Sequence, residues 1–496
     1  MNDIRVTFSG LISLVLGIIN IPLGFGFMLI VTRTLEPTEY GTWGLISGII
    51  VYATILEQII SYWSTREVAR NQDSGKTAIS SGLLFSMAGI VIYLISAYMI
   101  GNNTDADQNV VLLASILIPL IFVNRILTSI TLGWKPQGAS YGQIIFGLSQ
   151  IPSGFLLIYF LKLGTVGVIY AVGIAYAISI IFLLIYNKEK LLSSIKKQYL
   201  KKWINYSWLS IYPAIGGMLF FLDVAIYSII TESVIGLAYW TASLVITTII
   251  ASSGLISRAV YSKLLQGNNS EFISDSLRHL FYFSILFTAL IISFARPGLY
   301  ALNPEYAIAE FIVIVLAIQS FLFTITGSVG SFILGIEKVD LDKKSTFRDY
   351  FKSKLFFMPT LTLIQSIVYI GLLTLMLLSL VSIIDSQIDL IFYWALISLI
   401  VQIPISIYTG IIFRKNFTIH VQIKSISKYL LSAFVVFLVS QFLISSFLDY
   451  QNDIFKFLPQ VVLFIILGTL IYLGITILID SKTKFLIKSI FSELQK

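Results

Sequence analysis

Runs of about twenty apolar residues, the length an α-helix needs to cross a bilayer core, recur from one end of this 496-residue chain to the other. Windows bounded by charged or turn residues fall near 10–31, 41–62, 79–100, 110–132, 141–161 and 164–186. Six more follow at 207–230, 234–257, 279–295, 307–334, 357–384 and 390–412, and a last pair at 429–448 and 457–479. No soluble domain fits between them. With 57% hydrophobic and only 12% charged residues, the chain lacks the polar surface that a soluble fold of this length needs. The expected class is an all-α polytopic membrane protein with about 14 transmembrane helices. MNDIRVTFSG has one arginine before a long apolar run and no small-residue cleavage pattern, so it reads as part of a retained first helix.

Loop charge tests the count, because Lys and Arg are retained on the cytoplasmic side and one missed helix would invert every later alternation. With the N-terminus inside, inner segments hold Arg66, Arg70 and Lys76, then the lysines from Lys188 to Lys202, then Lys338, Lys343, Lys344, Arg348, Lys352 and Lys354. Arg414, Lys415, Lys424 and Lys428 continue the series. Outer segments hold Arg33, Lys162, Arg296 and Lys456, but also Asp105, Asp107, Asp385, Asp389, Asp449 and Asp453. Both termini are expected in the cytoplasm and the chain in the cell membrane. The net charge of +8 then reflects loop lysines beside anionic membrane lipid, and no nucleic-acid partner is expected. Asn102-Asn103-Thr104 forms a glycosylation sequon on an expected outer loop. The absence of cysteine excludes disulfides and thiolate metal sites, and His279 and His420 are too few for a histidine cluster, so neither metal nor cofactor is expected.

The windows divide into a first six-helix lobe (1–187), a basic linker (188–206), a second six-helix lobe (207–428) and two extra helices with a basic tail (429–496). Six is even, so the second lobe starts on the same side as the first, and the lobes would be parallel pseudo-repeats. Their leading helices match: IINIPLGFGF carries Asn20, Pro22, Gly24 and Gly26, and SIYPAIGGMLF carries Pro213, Gly216 and Gly217. Proline removes a ladder bond and glycine permits bending, so both helices are expected to hinge there. The next turns match as well, LEPTEYGTWGLISGII after the first helix and TESVIGLAYWTASLVI after the seventh. In LEPTEYG, Pro37 sets the turn and Tyr40-Gly41 begins the descent into the second helix. Paired interruptions in two halves point to a transport site, whereas each alone is ordinary membrane-helix packing.

The passage VTRTLEPTEYGTWGLIS resembles the signature of the polysaccharide biosynthesis and O-antigen-type flippases of the multidrug/oligosaccharidyl-lipid/polysaccharide exporter superfamily, whose first outer turn reads Leu-x-Pro-x-x-Tyr-Gly. FLDVAIYSIITESVIGLAYWTASL and LYALNPEYAIAEFIVIVLAIQSF resemble that family's later passages, in the same order. The resemblance covers residues 1 to about 430 and implies a cargo of oligosaccharide on a polyprenyl mono- or diphosphate, moved outward by alternating access. Such a head group cannot cross unaided, because its hydroxyls and phosphate would lose their hydration. An inside-negative potential favours outward movement of its charge by roughly 2.3 kcal/mol per charge per 100 mV.

Ionisable groups inside spans cost about 2.5 to 3.5 kcal/mol on insertion scales, so each needs a partner, water or a function. Arg125, in the fourth helix, offers a guanidinium fork to a substrate phosphate, or else pairs internally with Glu57 of the second. Asp223, in the seventh, and Glu57 are the candidates for a coupling or cavity acid; Asp223 either couples transport to a proton or monovalent cation, pairs with a cavity arginine, or braces its helix through hydrogen bonds. Asn20, Arg33 and Arg258 are further candidates for substrate contact, although the two arginines lie near helix ends, where snorkelling suffices. Two other functions compete. A multidrug or cation exporter of the same architecture would be expected to carry a coupling acid in the first helix, which has none. A membrane-embedded polymerase or glycosyltransferase needs catalytic acids or bases and sizeable outer loops, and the outer loops here are short.

Overall fold

The structure, a computed structural model, describes residues 6–254, 264, 271–337, 347–417 and 422–484, the side chains of 6–15, 18, 271, 272 and 347 excepted. Over the described residues, each apolar window of the sequence falls largely on helix. In chain order these are α1 (Val6–Thr34), α2 (Pro37–Ala53), α3 (Glu57–Ala69), α4 (Gly75–Gly101), α5 (Gln108–Trp134), α6 (Gln137–Phe160) and α7 (Gly164–Tyr186). A short α8 (Lys197–Asn205) precedes α9 (Trp208–Phe220), α10 (Leu222–Thr231), α11 (Ile235–Ala251) and α12 (Glu271–Ser293). The last five are α13 (Glu310–Gly335), α14 (Lys354–Leu380), α15 (Gln387–Asn416), α16 (Ile423–Phe447) and α17 (Ile454–Ile479). Among the described residues, 12 helices are long and apolar enough to cross a membrane, and the bent pair α2–α3 raises this to 13. The described apolar part of α1, Ile19–Thr34, is a shorter helix. Large apolar side chains such as Phe455 (87% exposed) and Leu478 (85%) face outward, as they must where the solvent is lipid. The chain is a multi-pass membrane protein.

By packing, the chain forms two compact units. The first comprises Met1–Thr241 and Phe356–Ile397, so it unites the first sequence lobe with the leading helices of the second and with α14 and the start of α15. The turn after α1 explains part of that union. Pro37 opens α2, where its missing N–H costs nothing, and the Glu39 carboxylate accepts the Glu36 N–H at 3.2 Å. One turn on, α2 meets the start of α11 so closely that a Cβ on Gly41 would lie 2.0 Å from the Val234 carbonyl oxygen. Gly44 and Gly48 continue this face against Thr241 and Val224. The Asp105 carboxylate accepts the Val234 N–H at 2.7 Å and the Ser233 hydroxyl at 3.0 Å, which holds the strained turn at Glu232 (φ 53°). The two turns that match in sequence therefore pack directly against one another.

The basic linker belongs to the same unit. Trp203 of α8 is fully buried in a cluster with Ile59, Ile60, Trp63, Ile126 and Ile130, while the Lys202 ammonium reaches the buried Glu67 carboxylate at 3.0 Å. One face of α8 thus packs on α3, and its remaining lysines stay exposed.

The second unit comprises Ala242–Leu355 and Ser398–Lys496. The Tyr472 hydroxyl donates to the Tyr282 carbonyl at 3.0 Å, and the Tyr282 and Thr476 hydroxyls bond at 3.0 Å, joining α12 to α17. Just beyond α17, Asp480 accepts the Tyr429 hydroxyl at 2.9 Å and the Thr483 hydroxyl at 2.8 Å, with the Lys428 ammonium at 3.5 Å. Burial pushes this carboxyl's pKa up, but the bonds from Thr483 and Tyr429 and the nearby Lys428 outweigh it, so the net shift is downward.

Two outcomes follow from this packing. Gly41→Leu has no space to occupy and should lower folded yield and unfolding temperature, a loss of about 1–3 kcal/mol or more; wild-type abundance in detergent extracts would contradict the close approach. Asp480→Asn should be less stable than wild type at neutral pH, by about 1 kcal/mol. Because the folded carboxylate's pKa is depressed, this difference is complete above the unfolded value of about 3.9 and vanishes as pH falls through the folded one. Unfolding midpoints measured from pH 7 downward check the convergence.

Candidate functional site

The second span is not one rod. Between α2 and α3 the axis turns by 61° at Thr54-Ile55-Leu56, with neither proline nor glycine in the break. Thr54 supplies the cause: its hydroxyl donates to the Ile50 carbonyl at 2.9 Å, and the ladder tightens to three-residue spacing. Ile55 N–H bonds Tyr52 O at 3.3 Å, Glu57 N–H bonds Thr54 O at 3.1 Å, and Gln58 N–H bonds Ile55 O at 3.2 Å. On the other side α4 approaches through Gly89, where a Cβ would lie 2.8 Å from the Ala53 carbonyl oxygen. Only glycine lets α4 pack against the bend.

The bend places Glu57 at the first position of α3, with 2% of its side chain exposed. Ser61, one turn along, donates its hydroxyl to one carboxylate oxygen. Arg125 Nη1 lies 3.7 Å from the other and donates to the Thr54 hydroxyl oxygen at 3.2 Å. The cation is 42% exposed while the acid is enclosed, an asymmetry that decides what the pair can do. Glu57 and Thr54 hold the guanidinium through Nη1, and among the described residues Nε and Nη2 have no hydrogen bond or ion pair. Neighbouring positions on α5 are polar too: Asn124 Nδ2 donates to Ser179 at 2.9 Å, and the Thr128 hydroxyl bonds the Asn124 carbonyl at 2.8 Å. The arrangement suits recognition of an anionic oxygen by a preoriented fork.

Asp223 stands apart from this cluster, in the first turn of α10. It is 8% exposed and accepts the Tyr369 hydroxyl at 2.8 Å and the Val224 N–H at 2.7 Å. Trp394 Nε1 donates in turn to the Tyr369 oxygen at 2.5 Å, and Trp240 stacks on Trp394 with centroids 4.0 Å apart. This chain of donors braces the point where α9 gives way to α10 at Phe221.

The remaining candidates scatter. Asn20 packs beside α6, its side-chain oxygen 3.1 Å from where a Cβ on Gly147 would stand. Arg33 is partly buried in the last turn of α1, and Arg258 lies outside the described residues. Helix α1 runs continuously through Pro22; a Cβ on Gly24 would meet open space, and one on Gly26 would lie 3.7 Å from the Ile151 side chain. In α9, Pro213 lies inside the helix, the Gly216 carbonyl accepts the Ser366 hydroxyl at 2.7 Å, and Gly217 faces open space. The interruption that follows comes at Phe221, beyond all three. Sequence reasoning missed Thr54, Ser61, Tyr369 and Trp394. For the first two a signal existed: Thr54, Glu57, Gln58 and Ser61 recur at the spacing of one helical face within an apolar run. Among the described residues, no group of three or more His, Cys, Asp or Glu could hold a metal ion.

No protein-family model matches the sequence, and no curated protein matches it by sequence. Solved structures do match by shape. The lipid II flippase MurJ in an inward closed conformation is 15% identical and aligns over 94% of this chain and 98% of its own, with a TM-score of 0.63. A multidrug resistance MATE family transporter of the MOP superfamily is 14% identical in its inward-facing conformation, over 83% of this chain and 100% of its own, with a TM-score of 0.56. Its outward-facing conformation gives a TM-score of 0.53 at 14% identity, over 83% of this chain and 95% of its own. At such identities the likeness is one of fold.

Replacing Arg125 by Ala should strand Glu57 in an apolar setting and cost about 1–3 kcal/mol of stability. The paired change Glu57→Gln with Arg125→Gln should recover most of that loss in detergent unfolding. Losses that simply add would contradict a coupled pair.

Proposed function

We propose that this protein is a flippase that carries a lipid-linked oligosaccharide or polysaccharide precursor from the cytoplasmic to the outer face of the cell membrane by alternating access. The carrying observation is the half-exposed Arg125, oriented by a buried glutamate at a broken membrane helix. A guanidinium kept charged inside the span attracts the phosphate of a polyprenyl-phosphate-linked glycan at the moment when that phosphate leaves water. Glu57 holds the fork between turnovers and, being enclosed, does not itself face the cargo. The reading is supported by the fold shared with a lipid II flippase, which aligns over 94% of this chain against 83% for the drug transporter. The same reading proposes both termini in the cytoplasm and sequence lobes 1–187 and 207–428 as the repeats.

A second reading, a multidrug or cation exporter, draws on the fold shared with MATE transporters and on buried Asp223, a carboxylate on which a proton or monovalent cation could act. Drug-resistance assays in a sensitive host separate the two.

In proteoliposomes supplied with a fluorescent polyprenyl-diphosphate oligosaccharide, Arg125→Gln should slow transfer by about tenfold or more, and Arg125→Lys should fall between it and wild type. Unchanged transfer by a well-folded Arg125→Gln would refute the role of the fork.

A further inference from the structure

In the second unit, Ser274, Arg278 and Tyr282 recur every four residues and so share one face of α12. That face meets α16. Gln422 Nε2 donates to the Ser274 hydroxyl oxygen at 3.4 Å, and the Tyr282 and Tyr429 rings stand edge to face with centroids 5.0 Å apart. Arg278 lies between these two contacts, with only 8% of its side chain exposed. One of its nitrogens, Nη2, is 3.5 Å from the Asp275 carboxylate and 3.1 Å from His279 Nε2. Its other two, Nε and Nη1, are buried and have no hydrogen-bond partner among the described residues.

Such an arrangement is costly as it stands, because a buried cation with unmet donors gives up hydration without replacement. The protein's own acids do not meet the need. Asp275 is 62% exposed and touches a single nitrogen, while Asp480, further along α16's side of the seam, is engaged by Lys428, Tyr429 and Thr483. Gln422 Oε1 is also buried with no partner among the described residues, which leave the seam two unmet donors and one unmet acceptor. Lys424 and Lys428 stand on the first turns of α16, at the end that the loop charges assign to the cytoplasm.

We infer that the ends of α12 and α16 form a binding site for a phosphate group, centred on Arg278, whose oxygens accept from Nε and Nη1 while a hydroxyl on the same ligand donates to Gln422. A phosphatidylglycerol headgroup has both functions, and inorganic phosphate has them through its oxygens and P–OH. The site lies in the second unit, and its ligand does not depend on which cargo the chain moves.

The test uses the full-length protein in phosphatidylcholine nanodiscs, in one arm doped with phosphatidylglycerol and in the other supplied with inorganic phosphate. Native mass spectrometry counts retained lipid, and thermal unfolding reads stabilisation. Wild type should retain phosphatidylglycerol or be stabilised by phosphate, the responding arm identifying the source, and Arg278→Gln should weaken the response about tenfold, with Arg278→Lys intermediate. Equal responses from wild type and Arg278→Gln would overturn the site. So would a wild type that neither retains phosphatidylglycerol nor responds to phosphate, a result that stands even if the variant fails to fold.

Discussion

A carboxylate buried within a membrane span needs partners for its oxygens, and the geometry around Glu57 follows from that constraint. An isolated charge in hydrocarbon is expensive, and an enclosed pair recovers the cost only when its other hydrogen bonds are met. Here Ser61 serves one oxygen and Arg125 the other, while Arg125 also reaches Thr54, whose hydroxyl shapes the bend. Without the turn at Thr54-Ile55-Leu56, α3 would continue the line of α2 and Glu57 would not open its first turn. Local chemistry, helix direction and the orientation of the guanidinium are therefore one solution to one problem.

That solution depends on a frame rigid enough to hold it. Gly41, Gly44 and Gly48 allow α2 to lie against the starts of α10 and α11, and Gly89 lets α4 close on the bend from the other side. Asp105 fixes the start of α11 through the Val234 and Ser233 donors. Around Asp223 a second polar chain, through Tyr369 to Trp394, secures the junction of α9 and α10. Each contact joins segments far apart in sequence.

The fold was legible because bilayer thickness imposes a length on every span, and charge marks the loops; the window at 164–186 coincides with Gly164–Tyr186. The site was legible only in part. Arg125 and Glu57 stand out as charges in apolar runs, but which of substrate contact or internal pairing describes them depends on a distance, and the structure sets it at 3.7 Å. The bend escaped notice because it is made by a threonine hydroxyl instead of proline or glycine, the residues that announce kinks. The partners of Asp223 escaped because Tyr369 is 146 positions away, and no local pattern encodes so distant a donor. Interruption of the seventh helix was anticipated near Pro213, yet the break at Phe221 tracks the buried acid beside it.

The central claim is that Arg125 faces a space that water and an anion can enter. The chain has no cysteine, so a single thiol placed one turn from the arginine, by Thr128→Cys, reports on that space without background. The decisive measurement is its modification by a membrane-impermeant thiol reagent in sealed vesicles, with and without a lipid-linked oligosaccharide. The account predicts labelling from one side of the membrane and protection when the glycan lipid is present. A thiol that reacts only after detergent opens the bilayer would contradict it.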